Sequence, residues 1–141
     1  MLKKAVSSST LWAVLLSGVF FLLMFVLING NWIGTGRLLE ITDGVNILDF
    51  EVAYGAGEAY ARLDALGAEG RAFYQSTILP LDFAFPIAYA AFYFCVIAYL
   101  LRRNEKMAWR WLLVLPPLAM LMDFAENISI LAMLGRLPHV Y

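Results

Sequence analysis

The sequence predicts an all-α integral membrane bundle, with three kinked transmembrane helices and a short amphipathic helix on the extracytoplasmic side. Three observations lead there. Hydrophobic residues make up 62% of the 141 residues and charged residues only 15%, against about half and about a quarter in an ordinary soluble domain. The uncharged residues are contiguous: no charge falls between Ala5 and Gly36, and none between Phe83 and Leu101. A soluble core this small cannot hide such runs, so lipid is their natural solvent. Finally, basic residues gather at the N-terminus and in one tight loop, the positive-inside pattern.

The first span is the run Leu11 to Ile28, LWAVLLSGVFFLLMFVLI, preceded by Lys3 and Lys4. It is longer than a signal-peptide core, and Asn29-Gly30-Asn31-Trp32 follows it in place of a small-x-small cleavage site. It therefore reads as a retained span. Trp12 and Trp32 fall near its two ends, where amphipathic rings favour the membrane interface.

Residues 30–78 form the polar outer segment. Ile33 to Glu51 mixes apolar and polar residues without a clean period and reads as loop or surface-lying chain. Gly57 to Leu66 reads as a helix, because Tyr60, Leu63 and Leu66 make one apolar stripe while Glu58, Arg62 and Asp64 lie on other faces. Gly67 is the expected stop, in the left-handed C′ position. A further helix is expected to start near Ala68 or Gly70 and run into the second span.

That span is about 79–101, and Pro80 and Pro86 predict a kink or break in its first half. Arg102, Arg103, Lys106 and Arg110 crowd the loop 102–109, opposed only by Glu105. The third span, about 110–134, carries Pro116-Pro117. The whole is expected to be one membrane domain, 1–141, without repeats. Positive-inside logic puts the N-terminus and the basic loop in the cytoplasm and the C-terminus outside, in the inner (plasma) membrane. The outer segment then holds Arg37, Arg62 and Arg71 against seven acids.

Composition removes several function classes. A net charge of −1 argues against a nucleic-acid binder. One cysteine, Cys95, excludes an internal disulfide and a multi-cysteine zinc or iron–sulfur site, and Cys95 reads as a small packing residue. One histidine, His139, excludes bis-histidine haem and multi-histidine metal sites within a single chain.

The chemistry is concentrated in four residues inside the spans: Asp82 in LPLDFAFP, and Asp123, Glu126 and Asn127 in MDFAENIS. A charged group at bilayer depth costs about 2.5–3.5 kcal/mol, so such groups usually face a bundle interior or water. If the second and third spans are antiparallel about a loop centred near 105–106, Asp82 lies opposite Ser129. Asp123, Glu126 and Asn127 share a helix face by their i, i+3 and i+4 spacing. One level then holds three carboxyls and an amide, with Tyr89 and Ser129 able to join. Such a cluster requires protonation or a compensating cation. The cation would be Arg71, Arg37 or Arg136, a ligand amine, or a hard metal ion such as magnesium or calcium. The DxxEN spacing is not the paired-aspartate pattern of prenyl or alcohol phosphotransferases. In the structural alternative, Asp82 caps the helix after Pro80, and the third-span residues bond carbonyls freed by kinks.

The aromatic face of the second span (Phe83, Phe85, Tyr89, Phe92, Tyr93, Phe94, Tyr99) reads first as packing or lipid contact. Its second use is to lie against a noncovalently bound lipid, quinone, sterol or pigment.

The set Tyr60…Leu66-Gly67-Ala68-Glu69-Gly70-Arg71…Tyr74, Leu81-Asp82…Phe85-Pro86…Tyr89 and Asp123-Phe124-Ala125-Glu126-Asn127 resembles a loose group of small, uncharacterised bacterial polytopic membrane proteins over about residues 54–134. The resemblance implies a fourth span after DxxEN. This sequence ends seven residues after Leu134, so the expectation is either that a partner chain completes the bundle or that the sequence is shortened. No activity comes with the resemblance.

Two functions are therefore weighed. One is an accessory or assembly subunit of a larger complex of respiratory or photosynthetic type, without a redox centre of its own, held among membrane lipids and other transmembrane subunits or copies of itself. The other is a lipid- or small-molecule-active enzyme or transporter that uses Asp82, Asp123, Glu126, Asn127, Tyr89 and Arg71. A homo-oligomeric cation pathway lined by the acids ranks behind both.

Overall fold

The computed structural model describes residues 1–47 and 55–137. Every regular element among them is helical. Three runs are long and apolar enough to cross a membrane: Leu11–Asn29, Gly67–Arg103 and Met107–Leu134. In chain order the α-helices are α1 (Leu2–Ser8), α2 (Leu11–Asn29), α3 (Thr35–Ile41), α4 (Ala56–Ala65), α5 (Gly67–Phe73), α6 (Leu79–Arg103) and α7 (Leu115–Leu134). A π-helical turn, Tyr74–Ile78, joins α5 to α6, and a 3₁₀ segment, Met107–Val114, leads into α7.

The basic N-terminus is a separate helix. Ser9 leaves α1 in an extended conformation (φ −65°, ψ 137°). Thr10 Oγ1 then accepts the Ala13 N–H at 3.2 Å and so caps the start of α2. Only 11% of the most apolar window of α2 is buried by the rest of the chain, as suits a helix that is hydrophobic all round. Within the stretch 33–51, read as loop or surface-lying chain, the structure has one short helix, α3, which buries Thr35 and Leu38. Seven residues are too few to display a period, and Gly34 at the N-cap with Gly36 inside the first turn concealed the helix. Residues 42–47 follow as a turn and irregular chain, in line with the loop reading, whereas Asp49 and Glu51 lie outside the described residues, as does His139.

α4 is close to expectation. Glu58 Oε2 accepts the Gly55 N–H at 2.7 Å, one arm of a capping box. Leu63 and Leu66 are buried, Tyr60 is half-buried, and Glu58 and Asp64 are exposed. Gly67 has φ +67°, the left-handed C′ geometry that a side chain would strain.

The prolines explain the two non-α stretches. An α-helical proline removes the N–H that would reach the carbonyl four residues back, and its ring crowds that carbonyl. Before Pro80 the register widens: the Leu79 N–H donates to the Tyr74 carbonyl, a five-residue step. Before Pro116 it tightens: the Leu115 N–H donates to Leu112, the carbonyl that Pro116 cannot serve.

The chain divides into two compact units, Met1–Phe25 with Phe83–Ala125, and Val26–Asp82 with Glu126–Tyr141. In the second, Leu38, Leu63, Tyr74, Ile78 and Ile130 are fully buried together. Gly70 lets α5 lie against the end of α3, because a Cβ there would sit 2.5 Å from Thr42 Cγ2. In the first, Val6 of α1 packs with Ala98, Leu101 and Leu113, and the Arg102 guanidinium donates to the Ser9 carbonyl. Phe21 of α2 stacks on Phe92 (5.4 Å between centroids, 3° between planes) and on Phe85 (5.8 Å, 29°).

Candidate functional site

Within the second unit the structure joins Asp82 and Asn127. Both are buried, at 9% and 2% exposure. The contact runs from the Asn127 side-chain amide, which donates to the backbone carbonyl of Asp82 at 2.9 Å. The reason lies four residues further on. In an α-helix the Asp82 carbonyl would accept the N–H of residue 86, and Pro86 has none. Asn127 supplies the missing donor. A buried carbonyl without one costs about 1–3 kcal/mol, and the amide also ties α6 to α7. The alternative in which third-span residues bond proline-freed carbonyls is thus realised at this position.

Within the first unit, Tyr89 Oη donates to Asp123 Oδ2 at 2.8 Å. Tyr89 stands edge-on to Phe85 at 5.8 Å, which fixes the ring. Phe83 and Phe124 meet nearby, with centroids 5.6 Å apart. A phenol donating to a carboxyl is a strong, directional pair and a second polar link between α6 and α7.

Glu126 and Ser129 are on the exposed surface of α7, as is Ala132, whereas Asn127, Ile130 and Leu134 form its buried row. Arg71 serves α4. Its Nη1 donates to the Asp64 carbonyl (3.1 Å), to Asp64 Oδ1 (3.3 Å) and to the Leu63 carbonyl (3.4 Å). A cation there satisfies the last carbonyls of the helix and complements its dipole. The acids therefore do not recruit Arg71 as a counter-ion; among the described residues its bonds all run to α4.

No group of three or more His, Cys, Asp or Glu side chains that could hold a metal ion is found among the described residues. The oxygen-ligand set expected for magnesium or calcium is thus not assembled there. The aromatic face of α6 has an occupant of its own, since Phe85, Phe92 and Tyr93 all lie against Phe21. That contact follows the packing reading and takes up ring surface offered to a quinone or pigment.

Depth alone grouped Asn127 with the carboxyls. The signal for its real partner was the four-residue step from Asp82 to Pro86. The triplet Lys106-x-x-Trp109-x-x-Leu112 ahead of Pro116 was not singled out, because its three-residue period becomes meaningful only in a 3₁₀ helix.

No family model matches the chain, and comparison with curated proteins and with solved structures gives no significant match.

Proposed function

We propose that the chain is an accessory or assembly subunit of a larger membrane protein complex, of respiratory or photosynthetic type, without a redox centre of its own. One observation carries this reading: Glu126 is exposed on a helix otherwise suited to lipid. Glu126 lies eight residues before the end of α7 at Leu134, about 12 Å at an α-helical rise. That is well inside a hydrocarbon core about 30 Å thick. Glu126 has a partner within the chain, but its outward surface at that depth still meets lipid unless another helix covers it, and acidic groups inside a membrane usually face a bundle interior. Ser129 and Ala132 continue the exposed row, and small residues let another helix approach closely enough to cover the carboxyl. The occupant is then a transmembrane helix of another subunit.

The inner-membrane orientation belongs to the same proposal. Packing of α1 on the 3₁₀ segment and the bond from Arg102 to Ser9 put the basic N-terminus and the basic loop at one end of their unit. Both then lie on the cytoplasmic side, as positive-inside requires. We take α6 and α7 to bend where Pro80, Pro86 and Pro116 change the register, and α4 to be the extracytoplasmic amphipathic helix.

Solubilisation in mild detergent tests the reading. The expected particle is heavier than one 15.8 kDa chain with its detergent belt and contains a second transmembrane protein. Ser129→Leu and Ala132→Leu, both at exposed positions, are expected to release that partner while the chain still accumulates. A monomer with nothing bound in the unaltered protein sinks the reading.

The Tyr89–Asp123 pair favours a second one, a lipid- or small-molecule-active protein in which this pair exchanges a proton with a ligand or along a transport path. Asp123→Asn would then abolish a ligand or proton response in protein that still inserts and assembles.

A further inference from the structure

The loop end of the first unit carries a groove of about 530 Å³, within the range of about 300–1,000 Å³ usual for small-molecule sites. One wall is the end of α6, with Ile97 and Leu101 at helical spacing, and Asn104 in the turn just beyond it. The other wall is Lys106, Trp109 and Leu112. In an α-helix these three would fan out around the axis. In a 3₁₀ helix residues three apart eclipse, so here Trp109 and Leu112 stack in one row, and Lys106, the N-cap of the segment, stands at its start. The 3₁₀ segment runs for eight residues, where runs beyond three or four are uncommon. The unusual backbone is what builds this wall.

Both walls grade in polarity along the same direction. Of the lining residues, Ile97 and Leu112 are the apolar ones farthest along the chain from the loop, Asn104 and Lys106 are the polar ones at the loop, and the half-exposed Trp109 comes between Lys106 and Leu112 in sequence. Lys106 and Leu112 are six residues apart, about 12 Å at a 3₁₀ rise. Ile97 and Asn104 are seven apart, about 10 Å at an α-helical rise. The arginines of the loop keep their charge but are not among the groove's lining residues; they bond neutral acceptors, Arg102 the Ser9 carbonyl, Arg103 Tyr99 Oη at 3.3 Å and Arg110 the Met107 carbonyl at 3.5 Å, and Lys106 is the cation that lines the groove. Among the described residues the Lys106 ammonium takes part in no ion pair.

An apolar floor, an interfacial indole and one lining cation, in that order over about 12 Å, match the profile of a phospholipid from acyl chain to phosphate. We propose that this groove binds one anionic phospholipid, with an acyl chain along Ile97, Leu101 and Leu112 and the phosphate at Lys106. Charge complementarity selects the anionic headgroup, because the basic loop supplies an attractive field around the mouth.

The test uses the full chain reconstituted in vesicles of phosphatidylglycerol and phosphatidylcholine in equal amounts, then extracted gently for native mass spectrometry. Retention is expected to favour one phosphatidylglycerol per chain. Lys106→Gln is expected to lower that retention about fivefold, the effect of one basic residue at a membrane surface. Lys106→Arg is expected to restore it, Lys3→Gln to leave it unchanged, and excess inorganic phosphate not to displace the lipid. Equal retention of both lipids, an equal loss in Lys3→Gln, displacement by inorganic phosphate, or a second copy of the chain in place of lipid each overturns the proposal. The inference rests on the membrane placement proposed above, which a carbonate wash reads separately. Release of the chain by carbonate overturns both, whereas loss of selectivity in firmly inserted protein overturns this one alone.

Discussion

Replacing Asn127 with leucine keeps the number and branching of the side-chain heavy atoms, with bulkier methyls in place of the amide, and removes the donor that serves the Asp82 carbonyl at 2.9 Å. The site is 2% exposed, so water does not take over. An acceptor left unsatisfied in a protein interior costs about 1–3 kcal/mol. Hydrogen bonds between helices in lipid average about 0.6 and reach about 1.7 kcal/mol. A loss of about 1.5 kcal/mol is expected for Asn127→Leu, because the carbonyl has no helical donor to return to. Pro86→Ala supplies one: residue 86 regains an N–H aimed four residues back at Asp82. In that background Asn127→Leu is expected to cost only about 0.5 kcal/mol, a coupling of about 1 kcal/mol, well outside the scatter of independent sites. Pro86 is fully buried, so its replacement carries a packing cost of its own. That cost appears in both arms of the double-mutant cycle and cancels. Unfolding of the four proteins in mixed micelles, followed by steric trapping or by denaturing detergent, gives the numbers. Equal losses for Asn127→Leu with proline and with alanine at 86 would refute the account.

Two further substitutions probe the rest of the framework. Tyr89→Phe deletes the 2.8 Å bond to Asp123 and is expected to lower stability by about 1–2 kcal/mol; an unchanged unfolding midpoint in the same micelles would mean that the pair is not formed. Gly70→Ala would bring a Cβ to 2.5 Å from Thr42 Cγ2. Thr42 cannot turn away freely, because its Oγ1 is bonded to the Leu38 carbonyl at 2.9 Å and the Val45 carbonyl at 2.7 Å. Overpacking of about 1–3 kcal/mol is expected, seen as faster proteolysis of residues 35–73, with wild-type protection as the contrary result.

The long-range order of the chain was legible because it rests on composition and on period. Leu11–Asn29 follows from one charge-free run, and α4 with its left-handed Gly67 follows from an apolar stripe and a stop residue. What escaped was backbone register. The continuous helical runs begin at Gly67 and Met107; the first agrees with the helix expected from near Ala68 or Gly70 into the second span, but the π turn and the 3₁₀ segment ahead of Pro80 and Pro116 were not foreseen. Hydrophobic patterning is tuned to 3.6 residues per turn and does not see five- and three-residue steps. The candidate site was legible as a set of residues and not as a set of bonds. Asp82 and Asn127 were correctly brought together, but through a backbone carbonyl, which has no letter in the sequence. Tyr89 was a possible companion of the acids and proved to be a donor to one of them.

The prolines connect these results. Pro80 is met by widening the helix, Pro116 by tightening it, and Pro86 by a side chain from α7. Each solution satisfies backbone groups that lipid cannot satisfy, and each leaves a different local consequence. The 3₁₀ solution aligns Trp109 and Leu112, with Lys106 at the start of their row, into the wall of the lipid groove. The side-chain solution commits Asn127 inward, and helical geometry then turns its neighbour Glu126 about 100° away, onto the exposed surface. With Asn127 held in the buried row by its bond to the Asp82 carbonyl, Glu126 is the neighbour left on the outside. The carboxyl that we assign to a partner chain is therefore exposed as a direct result of the amide that repairs the proline break. On this logic, relieving the break with Pro86→Ala leaves Glu126 where it is, since Ile130 and Leu134 still hold the buried row. Partner capture by the Pro86→Ala chain should accordingly match that of the unaltered protein, even where its stability does not.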